Sequence, residues 1–297
     1  MNNAANDDDI SNGTLLARVY GIKVTPPKFG ASQSEYSYNP ETKEIAKGLS
    51  SIKFIGEKLA ISLYEMSRQH EYTYFSDVLA DAHTYCGIDA RQLDILIRID
   101  FFSKFGNQRE LKRIVDLYDM FSGASQIKKK KIEGSYFEEI VAKYANGLTK
   151  TGKEAASWTI IDNAAIIHDC EKKILSLDLP DMNIVSKVRS FAEAMGYAGY
   201  ISGSDEDRAK LYIRKVFPVK RKKDGKQFGY SILTQSIGSG KESRFTIFNP
   251  VFDADPIKEG DVILCKGWRR DNGGYFTMTA YKILRGDDMD EIEEETA

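Results

Sequence analysis

The residue types and spacings that carry chemistry first meet in the run Lys53-Phe54-Ile55-Gly56-Glu57-Lys58. A tight turn that opens directly into a helix leaves unpaired amides at the helix start, and the helix dipole adds a partial positive charge there. Such a place holds an anion. Gly56 lets the backbone approach a phosphate with no side chain in the way. Lys53 and Lys58 flank the spot with positive charge. The candidate contacts are Lys53, Ile55, Gly56, Glu57 and Lys58, and they would touch phosphates without reading base sequence. The residues also fit a plain buried helical hairpin with a capping glycine.

A second, weaker set follows. Arg98, Lys104, Gly106 and Arg109 surround another turn, but Asp100 stands in it and would repel a phosphate. A third set lies near the C-terminal end. Lys220, Arg221, Lys222, Lys223 and Lys226 crowd one turn. Phe228, Tyr230, Phe245 and Phe248 lie on neighbouring strand candidates with Arg244 beside them, and Trp268 is followed by Arg269 and Arg270. Exposed aromatics next to a basic groove stack the bases of a single strand. Alternation along a strand turns about half of these rings inward.

The elements that must position these groups follow from periodicity. Ile45, Leu49 and Ile52 form the apolar stripe of a helical lead-in; the second helix opens at Glu57 and buries Leu59, Ala60, Leu63 and Met66. This is the plan of a helix-hairpin-helix. It recurs about fifty residues later, with Leu93, Leu96 and Ile97 on one helix and Leu111, Ile114, Val115 and Tyr118 on the next. Asn107 caps that later helix, with Glu110 completing a capping box. Ser76 is the expected N-cap of a short helix between the pairs. Helices are expected over Tyr136–Tyr144, Ala155–Leu175 and Ile184–Met195, the last ended by Gly196, with Trp158, Ile161, Ile166 and Ile167 as core. The lysines at 128–131 read as a solvated loop.

From Ala209 the period becomes two. Strands are expected over Leu211–Val219, Phe228–Gln235, Arg244–Asn249, Asp261–Trp268 and Tyr275–Leu284, separated by turns such as Asp224-Gly225 and Asp271-Asn272-Gly273-Gly274. Five short strands with such turns predict a closed OB-fold barrel. The fold class is therefore α+β: a tandem helix-hairpin-helix domain, a helical connector and a five-stranded OB barrel. The expected boundaries are a disordered lead-in over 1–14, the hairpin domain over 15–122, the connector over 123–205, the barrel over 206–285 and an acidic disordered tail over 286–297.

The whole chain is 297 residues long with a net charge of −2, so basic islands stand against a neutral background. That pattern fits a nucleic-acid module with local contacts. Three separated cysteines and three scattered histidines offer neither a disulfide framework nor a zinc spacing, and point to a reducing compartment. No apolar run reaches the length of a membrane span, so no membrane partner is expected.

The order of parts resembles the C-terminal part of the bacterial DNA polymerase III α subunit family, the class C replicative polymerases. The matching pieces are Gly21-Ile22-Lys23-Val24-Thr25-Pro26-Pro27, then Gly48-Leu49-Ser50-Ser51-Ile52-Lys53-Phe54-Ile55-Gly56-Glu57, then Leu96 through Gly106, then Glu171 to Pro180 ahead of the barrel. The resemblance covers the chain from about Leu15 onward. Phe54 and Asp100 stand where that family carries hairpin glycines. The resemblance implies that the hairpins hold primer–template duplex and that the barrel lies near single-stranded template. It implies the polymerase's catalytic part as a partner, and a bacterial or infected-host cytoplasm. It also implies a sliding clamp or clamp loader as partner, although no Gln-x-x-Leu-Phe motif occurs between Gly123 and Gly203.

Nucleotidyl transfer in that family needs a palm domain with metal-binding aspartates. The resemblance places palm, fingers and Mg2+ outside this sequence, so no cofactor is expected here and the chain is expected to be inert alone. Two other classes use the same modules. One is a stand-alone single-strand-binding or repair accessory protein, which a neighbouring gene for palm and fingers would argue against. The other is a protein-interaction scaffold, which salt-independent DNA binding would favour.

Overall fold

A computed structural model describes residues 7–196, 199–271 and 274–286. The acidic tail over 287–297 and the turn residues Asn272 and Gly273 lie outside the described residues. The first described element is helix α1 (Asp7–Val19), where composition points to a disordered lead-in over 1–14; residues 1–6 of that lead-in lie outside the described residues. Strands β1 (Lys23–Thr25), β2 (Ser37–Asn39) and β3 (Glu44–Ala46) form a small sheet in the order β1-β3-β2. Helices α2 (Glu57–Gln69), α3 (Phe75–Asp81), α4 (Ala90–Arg98) and α5 (Gln108–Phe121) follow. The connector holds β4 (Gln126–Lys128), α6 (Glu138–Tyr144), β5 (Ala145–Leu148), β6 (Glu154–Ile160), α7 (Asn163–Leu175) and α8 (Ile184–Met195).

Three local expectations are corrected. The lead-in to the first hairpin is strand β3 and a single 3-10 turn over Leu49–Ser51 rather than a helix. Its apolar residues still face the core, with Leu49 and Ile52 buried. The long helix expected from Ala155 is divided: Glu154–Ile160 is a strand that pairs with both β4 and β5, and the helix starts only at Asn163. Ile161, expected in the core, lies in the connection and is 75% exposed. Third, Ser76 does not cap α3. The N-cap is Tyr74, without a side-chain bond. The carboxylate of Glu171, on α7, instead accepts from the amides of Phe75 (2.6 Å) and Ser76 (3.1 Å) and from the Ser76 hydroxyl (2.5 Å). Glu171 is only 1% exposed, so a buried charge is satisfied by three donors at a helix start.

One hydrophobic cluster runs from Phe29 through the helices to Phe191 and Met195. Hairpins and connector therefore share a core, across the boundary expected at 122. Phe29, Phe101, Phe102, Phe105 and Phe75 form its aromatic centre, with ring centroids 4.8–5.8 Å apart.

Strands β7 (Lys210–Lys220), β8 (Gln227–Ser236), β9 (Glu242–Phe248), β10 (Val262–Arg270) and β11 (Phe276–Leu284) form a closed barrel in the order β10-β11-β9-β8-β7. All neighbours are antiparallel except β9 and β11, which are parallel. Helix α9 (Asn249–Ala254) lies between β9 and β10 and packs against the barrel core through Phe252. This is an OB-like fold, and the architecture as a whole is α+β. Val185 and Val188 of α8 join Ile237 and Val262 in a third cluster that seats the barrel on the connector. Among the described residues no helix is long and apolar enough to cross a membrane.

Candidate nucleic-acid interface

The first turn is built from its backbone outward. A Cβ on Gly48 would come within 2.4 Å of the Glu35 backbone, so only glycine lets these strands of chain meet. There Leu49 and Ser50 donate their amides to the carbonyls of Gln33 and Ser34. Ile55 donates to Ile52, and Lys53 donates to Ala194 at 2.8 Å, which ties the turn to α8. Phe54 takes a left-handed conformation with φ 68°, the conformation that the hairpin glycine of the resembling family would adopt freely.

Helix α2 then opens at Gly56, which has no side chain to cap it, and among the described residues no side chain caps its first amides. Gly56 itself has φ −70° and ψ 160°, and nothing lies within 4 Å of where its Cβ would be. Its role is therefore to leave the amides uncovered, since its backbone would suit any residue. Lys53, Gly56, Glu57 and Lys58 are exposed around this start, whereas Ile55 is buried and holds the turn from beneath. Four of the five residues expected here are thus exposed, and Ile55 is not.

The second turn has the same left-handed irregularity, at Asp100 with φ 62°, but it faces inward. Asn107 accepts from the amides of Arg109 and Glu110, and Glu110 accepts from the amide of Asn107, so the start of α5 is fully capped. Asp100 accepts from Gln108 Nε2 at 2.9 Å and pairs with Lys187 at 3.4 Å. Lys187 also pairs with Asp181. Burial works against its charge, but the two carboxylates outweigh that and hold its pKa above the ordinary value. Lys28 reaches in as well, to the Asp100 carbonyl and the Ser103 hydroxyl, and burial lowers its pKa.

The cationic candidates of this turn are mostly engaged. Arg98 pairs with Asp94 at 2.7 Å, and Arg109 is 7% exposed. Gly106 packs against Glu110 and Leu175. Lys104 is exposed and lies over the Phe105 ring. The sequence signals for a capping box and for a phosphate site were both present here, and they exclude each other because both need the same amides.

On the barrel, alternation sorts the aromatic candidates. Phe245 is 8% exposed and belongs to the core, and Tyr230 stacks on Phe252 at 3.7 Å beneath the α9 end. These two expected platforms face structure. Phe228 and Phe248 form a tilted pair at 5.9 Å with Phe248 exposed. Trp268 is 56% exposed and meets the edge of Phe276 at 5.3 Å. Lys220, Arg221, Lys222, Lys223 and Lys226 stand exposed at the β7–β8 turn; Arg244, Arg269 and Arg270 are exposed on β9 and β10. Expectation had left out Phe217, exposed on β7, and a cavity of about 280 Å³ beside Trp268 lined by Arg208, Lys241, Phe245, Cys265 and Phe276. The signal for Phe276 was its place opposite Arg270 across the β10–β11 turn.

In the connector, Lys129 lies over Trp158 and pairs with Glu154, so it is committed to packing β6, while Lys128, Lys130 and Lys131 are exposed. Among the described residues no group of three His, Cys, Asp or Glu side chains is placed to hold a metal ion. The thiols of Cys86 and Cys170 are pushed up by burial, to about 11 and about 12.

Comparison with known proteins adds one finding. Residues 21–111 match the family model for the helix-hairpin-helix motif. The match runs from just before β1 to the first turn of α5, so this helix-hairpin-helix region includes both turns. No curated protein matches the chain. Together the helix-hairpin-helix region and the OB-like barrel fit a DNA-binding role.

Proposed function

We propose that this chain is a DNA-holding part of a replicative polymerase of the class C type, in which the helix-hairpin-helix region grips duplex and the barrel guides single-stranded template. The observation that carries the duplex half is the uncovered start of α2 between Lys53 and Lys58. Amides and dipole there favour a backbone phosphate, and the two ammonium groups add charge that salt screens. The barrel half rests on the exposed Trp268 and the Phe228–Phe248 pair beside the basic β7–β8 turn.

In this proposal residues 15–122 and 206–285 are the two working units and the connector sets their spacing. The carboxylates and Mg2+ of nucleotidyl transfer belong to a separate catalytic part, and no residue of this chain is assigned to hold the metal. A sliding clamp or clamp loader is a further proposed partner of the assembled polymerase.

Fluorescence anisotropy with a labelled primer–template junction, continuous duplex and single strand, each across a salt series, tests the reading. The expected result is tightest binding to the junction and a steep fall with salt. Salt-independent binding, or equal affinity for all three, would contradict it.

A further inference from the structure

Phe54 combines three features that packing alone does not require. It is a bulky residue held at φ 68°, a conformation that is a genuine outlier for such a side chain and that the surroundings must enforce. The enforcement is visible. Gln92 Nε2 donates to the Phe54 carbonyl at 3.1 Å, and the Lys53 amide is bonded to Ala194. Yet the ring so held is not buried. Phe54 is 54% exposed and lines an open recess with Lys53 and Gly56. The Arg91 guanidinium covers the ring at 3.6 Å from its centroid. Arg91 is itself exposed.

The parallel position in the second turn shows what a structural role looks like. Asp100 takes the same conformation and is fixed by Gln108 and Lys187 within the fold. Phe54 instead directs an aromatic ring and a stacked cation outward, beside the amides that would hold a phosphate. A planar ring backed by a guanidinium has one chemical counterpart on a duplex held there: the face of a base that its neighbour has ceased to cover. Bases stack on aromatic side chains without regard to sequence, and arginine adds cation–π attraction. Lys53 and Lys58 supply the flanking phosphate contacts.

We propose that Phe54, backed by Arg91, is a stacking wedge that recognises an opened base step in duplex DNA, such as a nick, a gap edge or a primer end. This rests on the duplex-holding reading of the first turn. The wedge sets preference among DNA forms, while Lys53, Lys58 and the α2 amides set affinity for duplex of any kind.

The test uses the full chain and three 20-base-pair probes, one continuous, one nicked and one with a one-nucleotide gap, each with 2-aminopurine at the central step. The wild-type protein is expected to favour the nicked and gapped probes by about tenfold, the ratio a single stacked base supplies. It should also change 2-aminopurine fluorescence at that step. Phe54→Gly should abolish the preference and the fluorescence change while leaving affinity for continuous duplex and the melting temperature unreduced, because glycine adopts this conformation without strain. Arg91→Ala should reduce the preference in part. A preference that survives Phe54→Gly, or no preference in the wild type, overturns the wedge. The underlying reading is tested separately by Lys53→Glu with Lys58→Glu, which should weaken all three probes. If that variant binds continuous duplex like the wild type, the duplex reading itself fails.

Discussion

The two turns of the helix-hairpin-helix region share a plan and diverge in what their helix starts do. Both place a non-glycine residue in the left-handed region, Phe54 in one and Asp100 in the other. After the first turn, α2 begins with no side chain, among the described residues, capping its amides. After the second, α5 begins with a complete capping box. The lysines near the first turn are exposed, whereas Lys28 and Lys187 near the second are drawn onto Asp100. A helix start has one set of amides, and they serve either the fold or a ligand. On the proposed reading, binding falls to the first turn and stability to the second.

The largest expected effect tests the shared core beneath both turns. Glu171→Ala removes the three-bond cap of α3 and leaves two buried amides without partners. It should lower unfolding stability by about 2–4 kcal/mol in denaturant titrations. Next is Asp100→Ala, which removes the Gln108 bond and one of two carboxylates from Lys187. A loss of about 2–3 kcal/mol in stability with duplex affinity unchanged is expected. A large loss of affinity without a loss of stability would return the second turn to the binding surface.

Lys53→Glu with Lys58→Glu should leave stability alone and weaken duplex binding about tenfold or more near 0.1 M salt. The slope of log K against log salt should fall by about two, one for each phosphate contact. The smallest effect sharpens the contrast most. Gly56→Ala introduces a methyl where the backbone is ordinary and the space is open. It should lower stability only slightly, the cost of alanine for glycine at an N-cap, yet bind duplex a few-fold more weakly, about 0.5–1 kcal/mol, because the methyl stands before the amides. Gly48→Ala is the matched control, since its methyl meets backbone at 2.4 Å and should cost stability instead.

The barrel was legible because its signals are local. Leu211 and Ile213, or Phe245 and Ile247, alternate inward, and Asp224-Gly225 and Ser239-Gly240 mark turns between them. Each strand expected there lies within two residues of the one observed. The α5 cap was legible for the same reason, with Asn107 and Glu110 only three residues apart. What sequence hid depends on distant partners. Glu154–Ile160 reads as helical until β4 and β5 supply its pairing. The carboxylate that caps α3 lies 95 residues beyond Ser76. The candidate site was half legible: four of the first turn's five residues are exposed as expected and Ile55 is buried, alternation turned about half of the barrel's rings inward without singling out Tyr230, and nothing local showed that Arg109 would be buried.

The most direct test reads the amides themselves. Two-dimensional amide NMR of the labelled protein, titrated with a short continuous duplex, follows both helix starts at once. The account predicts that the amides of Gly56, Glu57 and Lys58 shift on binding while those of Arg109 and Glu110 stay in place. Shifts at Arg109 and Glu110, with Gly56 through Lys58 unmoved, would contradict the division of labour between the two turns.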